Sequence, residues 1–260
     1  MKTTNKGRRV AIITGASSGI GKEFAYQIDT RNDFDEFWLI ARNEERLQET
    51  ADFLNHPTRL FSLDLANQEA LDCFKVLVNE DQPQIIYLIN AAGFGKLGAD
   101  NNLEVINKML DLNIKALVNL TYLSIPYMDH KSHLINISSL SAFMPLPGLN
   151  IYAASKAFVL HFSQALHHEL KPQGIKVTAI CPGWTATNFQ KTAGIKKANK
   201  TAFWNKCYDA KPVVTRALLF NDMNMMSGTY GLTYNLEMIL CKFLPVRLVM
   251  RGWEFQKKSL

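Results

Sequence analysis

Tyr152 and Lys156 stand four residues apart in the run YAASK, downstream of a glycine-rich run, TGASSGIG, at positions 14–21. A free phenol has a pKa of about 10 and is a poor proton carrier near neutrality. Lowering it by about three pH units takes about 4 kcal/mol of preference for the phenolate. A cation about 4 Å away supplies about that much at an effective dielectric of about 20. The stretch AASKAFVLHFSQAL has a helical pattern, which puts positions i and i+4 on one face and makes the lysine that cation. An isolated YxxxK is also an ordinary surface helix pair. The glycine run adds the second half of the chemistry. Gly15, Gly19 and Gly21 allow the positive φ angles of a tight turn and a close approach of backbone to a pyrophosphate, and a helix starting there points free N–H groups at the anion. Together the two elements suggest transfer of a hydride and a proton to or from a carbonyl carbon.

The elements that must position these residues follow from the apolar pattern. Short apolar runs at Val10–Thr14, Phe37–Ala41, Arg59–Leu63, Ile85–Asn90, His133–Ser138 and Lys176–Cys181 alternate with helical patterns. Strands without polar alternation, separated by helices, predict a parallel sheet covered on both faces. Right-handed crossovers then give an α/β, Rossmann-type, doubly wound sheet with its ligand crevice at the strands' C-terminal ends. No linker or repeat interrupts residues 1–260, which read as one domain. Apolar residues at 47 % and charged residues at 20 % indicate a globular chain. The net charge of +6 is compatible with an anionic ligand, a membrane surface or nucleic acid and chooses none of them. Nucleic acid is not expected, because the lysines lack interleaved aromatics. No leader or membrane-length apolar run follows the polar, basic start, so the expected compartment is cytoplasmic. Cys73, Cys181, Cys207 and Cys241 lack metal-ligand spacing and read as reduced thiols. His161, His167, His168 and Glu169 read as a polar helix face, not a metal site.

Thr14 followed by Gly15-x-x-x-Gly19-x-Gly21 resembles the short-chain dehydrogenase/reductase family, and the resemblance grows along residues 8–190. Asp64 and Leu65 in LDLAN, the NAAG run Asn90, Ala91, Ala92 and Gly93, and CPGWTAT at 181–187 all match its motifs. The resemblance implies a catalytic set of Asn113, Ser139, Tyr152 and Lys156. In the family, the serine holds the substrate oxygen against the tyrosine, although Ser138 and Ser141 are close neighbours here. The asparagine bends its helix and holds a water that relays protons to the lysine, and the lysine anchors the nicotinamide ribose, whose ring, when oxidised, adds its positive charge to that of the lysine. The implied dinucleotide site comprises Gly15, Ser17, Ser18, Gly19, Ile20, Gly21, Asp64 beside the adenine, Leu65, Asn90, Ala91, Gly93, Tyr152, Lys156, Pro182, Gly183, Thr185 and Thr187.

A carboxylate at the end of the second strand would bind a ribose 2′-hydroxyl and repel a 2′-phosphate. Ala41 and Arg42 stand there instead. A guanidinium recognises phosphate in a planar, bidentate way, so NADP (as NADPH) is expected over NAD. Two features pull the other way: Arg42 is also an ordinary solvated helix-start residue, and Ser18 stands where many NADP-dependent relatives carry a basic residue. The expected reaction is reduction of a ketone, aldehyde or 3-oxoacyl group to an alcohol, with Tyr152 as general acid. The rivals are an NAD-dependent alcohol dehydrogenase and an idle NADP-binding sensor, for which Ser139 would have no use.

The substrate is less legible. Phe94, Leu97 and the apolar residues of 143–149 fit a pocket wall and ordinary packing equally. Residues 188–211, with six lysines and the single acid Asp209, correspond to the family's substrate lid. Their charge reads either as steering for a phosphate-bearing acyl thioester or as a solvated face. The tail, 232–260, departs from the family, whose last strand and glycine pair help to build a tetramer. Here Pro245 divides an apolar, lysine- and arginine-dotted segment into two pieces. Contact with an anionic membrane surface, a cap on the substrate pocket and a subunit contact are the three readings of it. A homodimer or homotetramer is the assembly that the family implies.

Overall fold

The computed structural model describes residues 7–98, 102–194 and 206–257. Their strands are β1 (Arg9–Thr14), β2 (Glu36–Ala41), β3 (Thr58–Ser62), β4 (Gln84–Asn90), β5 (His133–Ile137), β6 (Lys176–Ile180) and a two-residue β7 (Ser227–Gly228). All pair in parallel, in the order β3-β2-β1-β4-β5-β6-β7. Each of the six expected runs is a strand. The seventh is too short and too polar to leave an apolar signal. The order reverses between β1 and β4, so the crevice of this Rossmann-type sheet opens at their C-terminal ends.

The helices are α1 (Gly19–Ile28), α2 (Glu44–Ala51), α3 (Gln68–Asp81), α4 (Leu103–Leu110), α5 (Leu117–Ser124), α6 (Asn150–Glu169), the single turn α7 (Phe189–Ala193), α8 (Ala210–Asp222), α9 (Leu232–Phe243) and α10 (Val246–Lys257). Strand residues alternate between the two faces of the sheet. Ala11, Ile13 and Leu39 pack with Phe24 and Ile28 of α1 and Val214 of α8. Val10, Ile12 and Ile40 pack on the other face with Phe74 of α3, Leu120 of α5 and Leu166 of α6. A bulge breaks the alternation once. Val10 lies opposite Ile85 but Ala11 lies opposite Tyr87, so Ile86 and Tyr87 both join the first cluster.

Two local features bear on the site. α4 runs into α5 through a π-helical segment, Asp111–Ala116, which contains Asn113. Such segments re-aim a side chain without ending the helix. His167 is a correction to the polar-face reading of α6: it is buried, with Nδ1 2.8 Å from the Val177 carbonyl oxygen, and ties α6 to β6.

After β7 the chain forms α9 and α10, separated at Pro245 as expected. Tyr234 seats α9 against Gly183, where a Cβ would collide with its ring. The opposite stripe of α9, Leu232, Leu236, Ile239 and Phe243, is exposed. Among the described residues no helix is long and apolar enough to cross a membrane. Of the lid expected at 188–211, residues 195–205 lie outside the described residues. The chain resumes beside the 181–187 motif, where Tyr208 N donates to Trp184 O at 2.9 Å and Ala186 N donates to Tyr208 O at 2.8 Å.

Candidate active site

A cavity of about 670 Å³ runs across the C-terminal ends of the strands. At one end is the glycine turn. Gly15 has φ +69°, and its N–H donates to Ile40 O at 2.8 Å, which fastens the turn to β2. Gly21 lies directly on the Gly15 carbonyl, so a Cβ there would collide with backbone. Thr14 Oγ1 accepts from Ala91 N at 3.1 Å and Ala92 N at 3.0 Å, which ties the turn to the end of β4. Ser18 is the N-cap of α1, and its hydroxyl makes no cap bond. Ser17, Ser18, Gly19, Ile20 and Gly21 all line the cavity.

Arg42 and Arg46 line the same end, and the Arg42 guanidinium makes no ion pair among the described residues. Asp64 and Leu65 line the wall beyond, with an Asp64 carboxylate oxygen 3.2 Å from Lys108 Nζ. A turn closed to side chains, uncapped helix N–H groups and paired guanidiniums suit a dinucleotide carrying several phosphates.

The other end gathers the expected catalytic residues. α6 presents Tyr152 and Lys156, both buried. Lys156 Nζ donates to Ile137 O at 2.8 Å and lies 5.8 Å from the centre of the Tyr152 ring. Ser139 caps a 3₁₀ turn, Leu140–Phe143, accepting from Ser141 N at 3.2 Å. It is also the serine set against the Tyr152 phenol. Ser138 is engaged elsewhere, donating to Lys156 O at 2.7 Å, which separates the two neighbours that sequence left confusable.

Asn113 does not line the cavity. From behind Lys156 it accepts from Phe94 N at 3.0 Å and donates to Phe94 O at 2.9 Å and to Ser155 Oγ at 3.1 Å. Its oxygen and the lysine nitrogen both flank Gly93. Asn90 also departs from its expected place. Its amide donates to Thr121 Oγ1 at 3.1 Å and Asn136 Oδ1 at 2.9 Å, so it braces β4 against α5 and β5 inside the protein and away from the cavity wall. Ala91, Gly93, Pro182, Gly183, Thr185 and Thr187 do line the cavity.

The electrostatics of the pair by itself run opposite to the expectation, which counted an oxidised nicotinamide ring together with the lysine. Burial pushes the Tyr152 phenol up to about 12, with Ser139 opposing part of the rise. Burial also pulls the Lys156 ammonium down to about 8. The lysine charge is spent on a carbonyl and partly lost to desolvation, so desolvation outweighs the attraction expected between the pair. The phenol is therefore held protonated, which is the form an acid needs before it donates.

The substrate end has walls that the sequence showed incompletely. Phe94, Met144, Leu146 and Leu149 line it as one of two readings allowed, whereas Phe143 packs elsewhere. Trp184, Tyr234, Glu237 and Trp253 were not foreseen. Trp253 of α10 is buried among Leu146, Leu149 and Tyr152, and its Nε1 donates to Pro147 O at 3.0 Å. The tail thus caps this cavity, the second of its three readings. The lone tryptophan of this apolar and basic segment was the available signal.

Comparison with known proteins agrees with this geometry. Residues 9–198 match the family model described as short chain dehydrogenase. An uncharacterized oxidoreductase of Staphylococcus epidermidis is 35 % identical over 183 residues, covering 69 % of this chain and 79 % of the relative. The very-long-chain 3-oxoacyl-CoA reductase of Rattus norvegicus is 32 % identical over 193 residues, covering 70 % of this chain but 61 % of that reductase. A solved short-chain dehydrogenase from Sphingobium yanoikuyae, in complex with NADPH, superposes with a TM-score of 0.76 at 29 % identity, covering 97 % of this chain and 95 % of that one.

Proposed function

This chain belongs to the short-chain dehydrogenase family of oxidoreductases, and from that premise we propose that it reduces a ketone, aldehyde or 3-oxoacyl group to an alcohol with NADPH. The carrying observation is the meeting of Tyr152, Ser139 and Lys156 at one end of a cavity whose other end is the glycine turn with Arg42. Bound NADPH supplies the hydride. Ser139 Oγ donates a hydrogen bond to the carbonyl oxygen and places that oxygen at the Tyr152 hydroxyl. Tyr152 holds its proton at neutral pH and releases it to the oxygen as that atom becomes an alkoxide, a far stronger base than phenolate. Lys156, fixed by Ile137 O, would hold the ribose hydroxyls of the nicotinamide half, and Asn113 fixes the Phe94 backbone beside the lysine. Arg42 would take the 2′-phosphate and so favour NADPH over NADH.

Support for the NADPH reading comes from Arg42 and from the NADPH bound by the Sphingobium relative. Support for the carbonyl reading comes from the 3-oxoacyl-CoA reductase relative, of which this chain spans about three fifths. The test is NADPH consumption against ketones, aldehydes, 3-oxoacyl thioesters and steroids. Turnover of at least one class with NADPH ahead of NADH is expected; inertness toward all of them, or a clear NADH preference, would overturn the proposal.

A further inference from the structure

The cap wall of the cavity carries a carboxyl with no hydrogen-bond partner among the described residues. Glu237 of α9 and Ser141 of the 3₁₀ turn both line the cavity, and α9 packs against that turn. Among the described residues, Glu237 Oε2 and Ser141 Oγ are each buried without a hydrogen-bond partner. Two other polar groups that line this wall are paired: Tyr234 OH donates to Lys206 O and accepts from Trp184 N, and Trp253 Nε1 is held by Pro147 O. The nearby cations are engaged as well, Lys156 on Ile137 O and Lys242 over the Phe143 ring. Burial alone, with no compensating partner, pushes the Glu237 carboxyl up to about 7.

Leaving a buried carboxyl and a buried hydroxyl unpaired is costly, and a folded chain that needed only packing here would hold an apolar side chain. We propose that Glu237 and Ser141 form a polar subsite at the substrate end, so that the preferred carbonyl compound carries a hydrogen-bond-donating group, a hydroxyl or an amine, on an otherwise apolar body. The inference rests on the carbonyl-reductase reading and narrows it. Above about pH 7 the Glu237 carboxyl is ionised, and a carboxylate accepts but does not donate, so at an assay pH of about 8 it selects a donor. The apolar walls of Leu146, Leu149, Trp184 and Trp253 select what carries that donor.

Acetophenones bearing a hydroxymethyl, aminomethyl, methoxymethyl or ethyl group, meta or para, provide the test. The hydroxymethyl or aminomethyl compound should exceed its methoxymethyl and ethyl counterparts in kcat/KM by about tenfold or more, because the donor-free compounds leave the carboxyl unpaired. The ratio should collapse toward one in Glu237→Leu and fall partway in Glu237→Gln, and comparison of hydroxymethyl with aminomethyl identifies which donor is taken. Equal rates in the native protein, or a preference that survives Glu237→Leu, would overturn the subsite while leaving the reductase reading intact. If no acetophenone is reduced, calorimetric binding of the hydroxymethyl and methoxymethyl compounds to the NADP-loaded protein still decides: a preference for the alcohol that vanishes in Glu237→Leu supports the subsite, and equal binding overturns it.

Discussion

The glycine turn and the helical cap close the same cavity from opposite ends. At the turn the backbone makes the contacts: Gly15, Gly21, Ile40 and the Ala91–Ala92 amides are joined by main-chain packing and one threonine hydroxyl. A side chain at Gly21 would collide with the Gly15 carbonyl, and one at Gly15 would crowd the Ala91–Ala92 backbone. At the cap, side chains make the contacts. Trp253 plugs into an apolar cluster, Tyr234 sits on Gly183, and the other face of α9 stays exposed. On the proposed function, the difference gives cofactor binding to the backbone-built end and the choice of substrate to the side-chain-built one.

Removing the plug separates the two ends most sharply. Trp253→Ala forfeits about 3–5 kcal/mol of burial in the manner of large core truncations, enough to loosen α10. KM for the carbonyl substrate should rise by about tenfold or more, while NADPH affinity measured by fluorescence titration stays at the native value. A parallel loss of NADPH affinity would mean that the ends are not independent.

Next in size is the pH dependence of stability. The folded Lys156 pKa of about 8 lies below the unfolded value of 10.5, so between those limits the unfolded chain holds a proton that the folded chain has released. Lys156 therefore penalises the fold below about pH 8, and the penalty disappears as pH rises, by on the order of 2 kcal/mol up to pH 10. Cys181 and Cys241, with thiols pushed up to about 12 and about 11 from 9.0, act in the opposite direction above pH 9. The measurement is thus the difference between native protein and Lys156→Met in urea unfolding. The advantage of the methionine variant should shrink from pH 7 to pH 10.

Arg42→Ala should have the smallest effect. Its guanidinium is exposed, so the preference for NADPH over NADH in kcat/KM should fall by about tenfold, at the low end for a charge-assisted bond. An unchanged ratio would move 2′-phosphate recognition elsewhere, to Arg46 first.

The backbone-built end was the more legible in sequence because its rules are local. Buried strands read as apolar runs, and a tight turn beneath a helix demands glycine at fixed spacing. Motif position alone misplaced Asn90, since a polar residue at a strand end can turn to the crevice or into the core, and Thr121 with Asn136 draws it inward. The direction of the Tyr152 shift was missed because spacing sets which residues share a helix face but not how deeply they are buried or where an ammonium spends its bonds. The cap was hardest to read. Trp253 meets Leu146 and Leu149 over a separation of about a hundred residues, and α10 viewed alone is a basic helix with no preferred partner.

The central claim is that Tyr152 delivers the proton in a carbonyl reduction. Tyr152→Phe, assayed with saturating NADPH and the best carbonyl substrate, should lower kcat by about a thousandfold or more while NADPH binds as tightly as in the native protein. Turnover within about tenfold of native, with NADPH still bound, would take the proton away from Tyr152 and contradict this account.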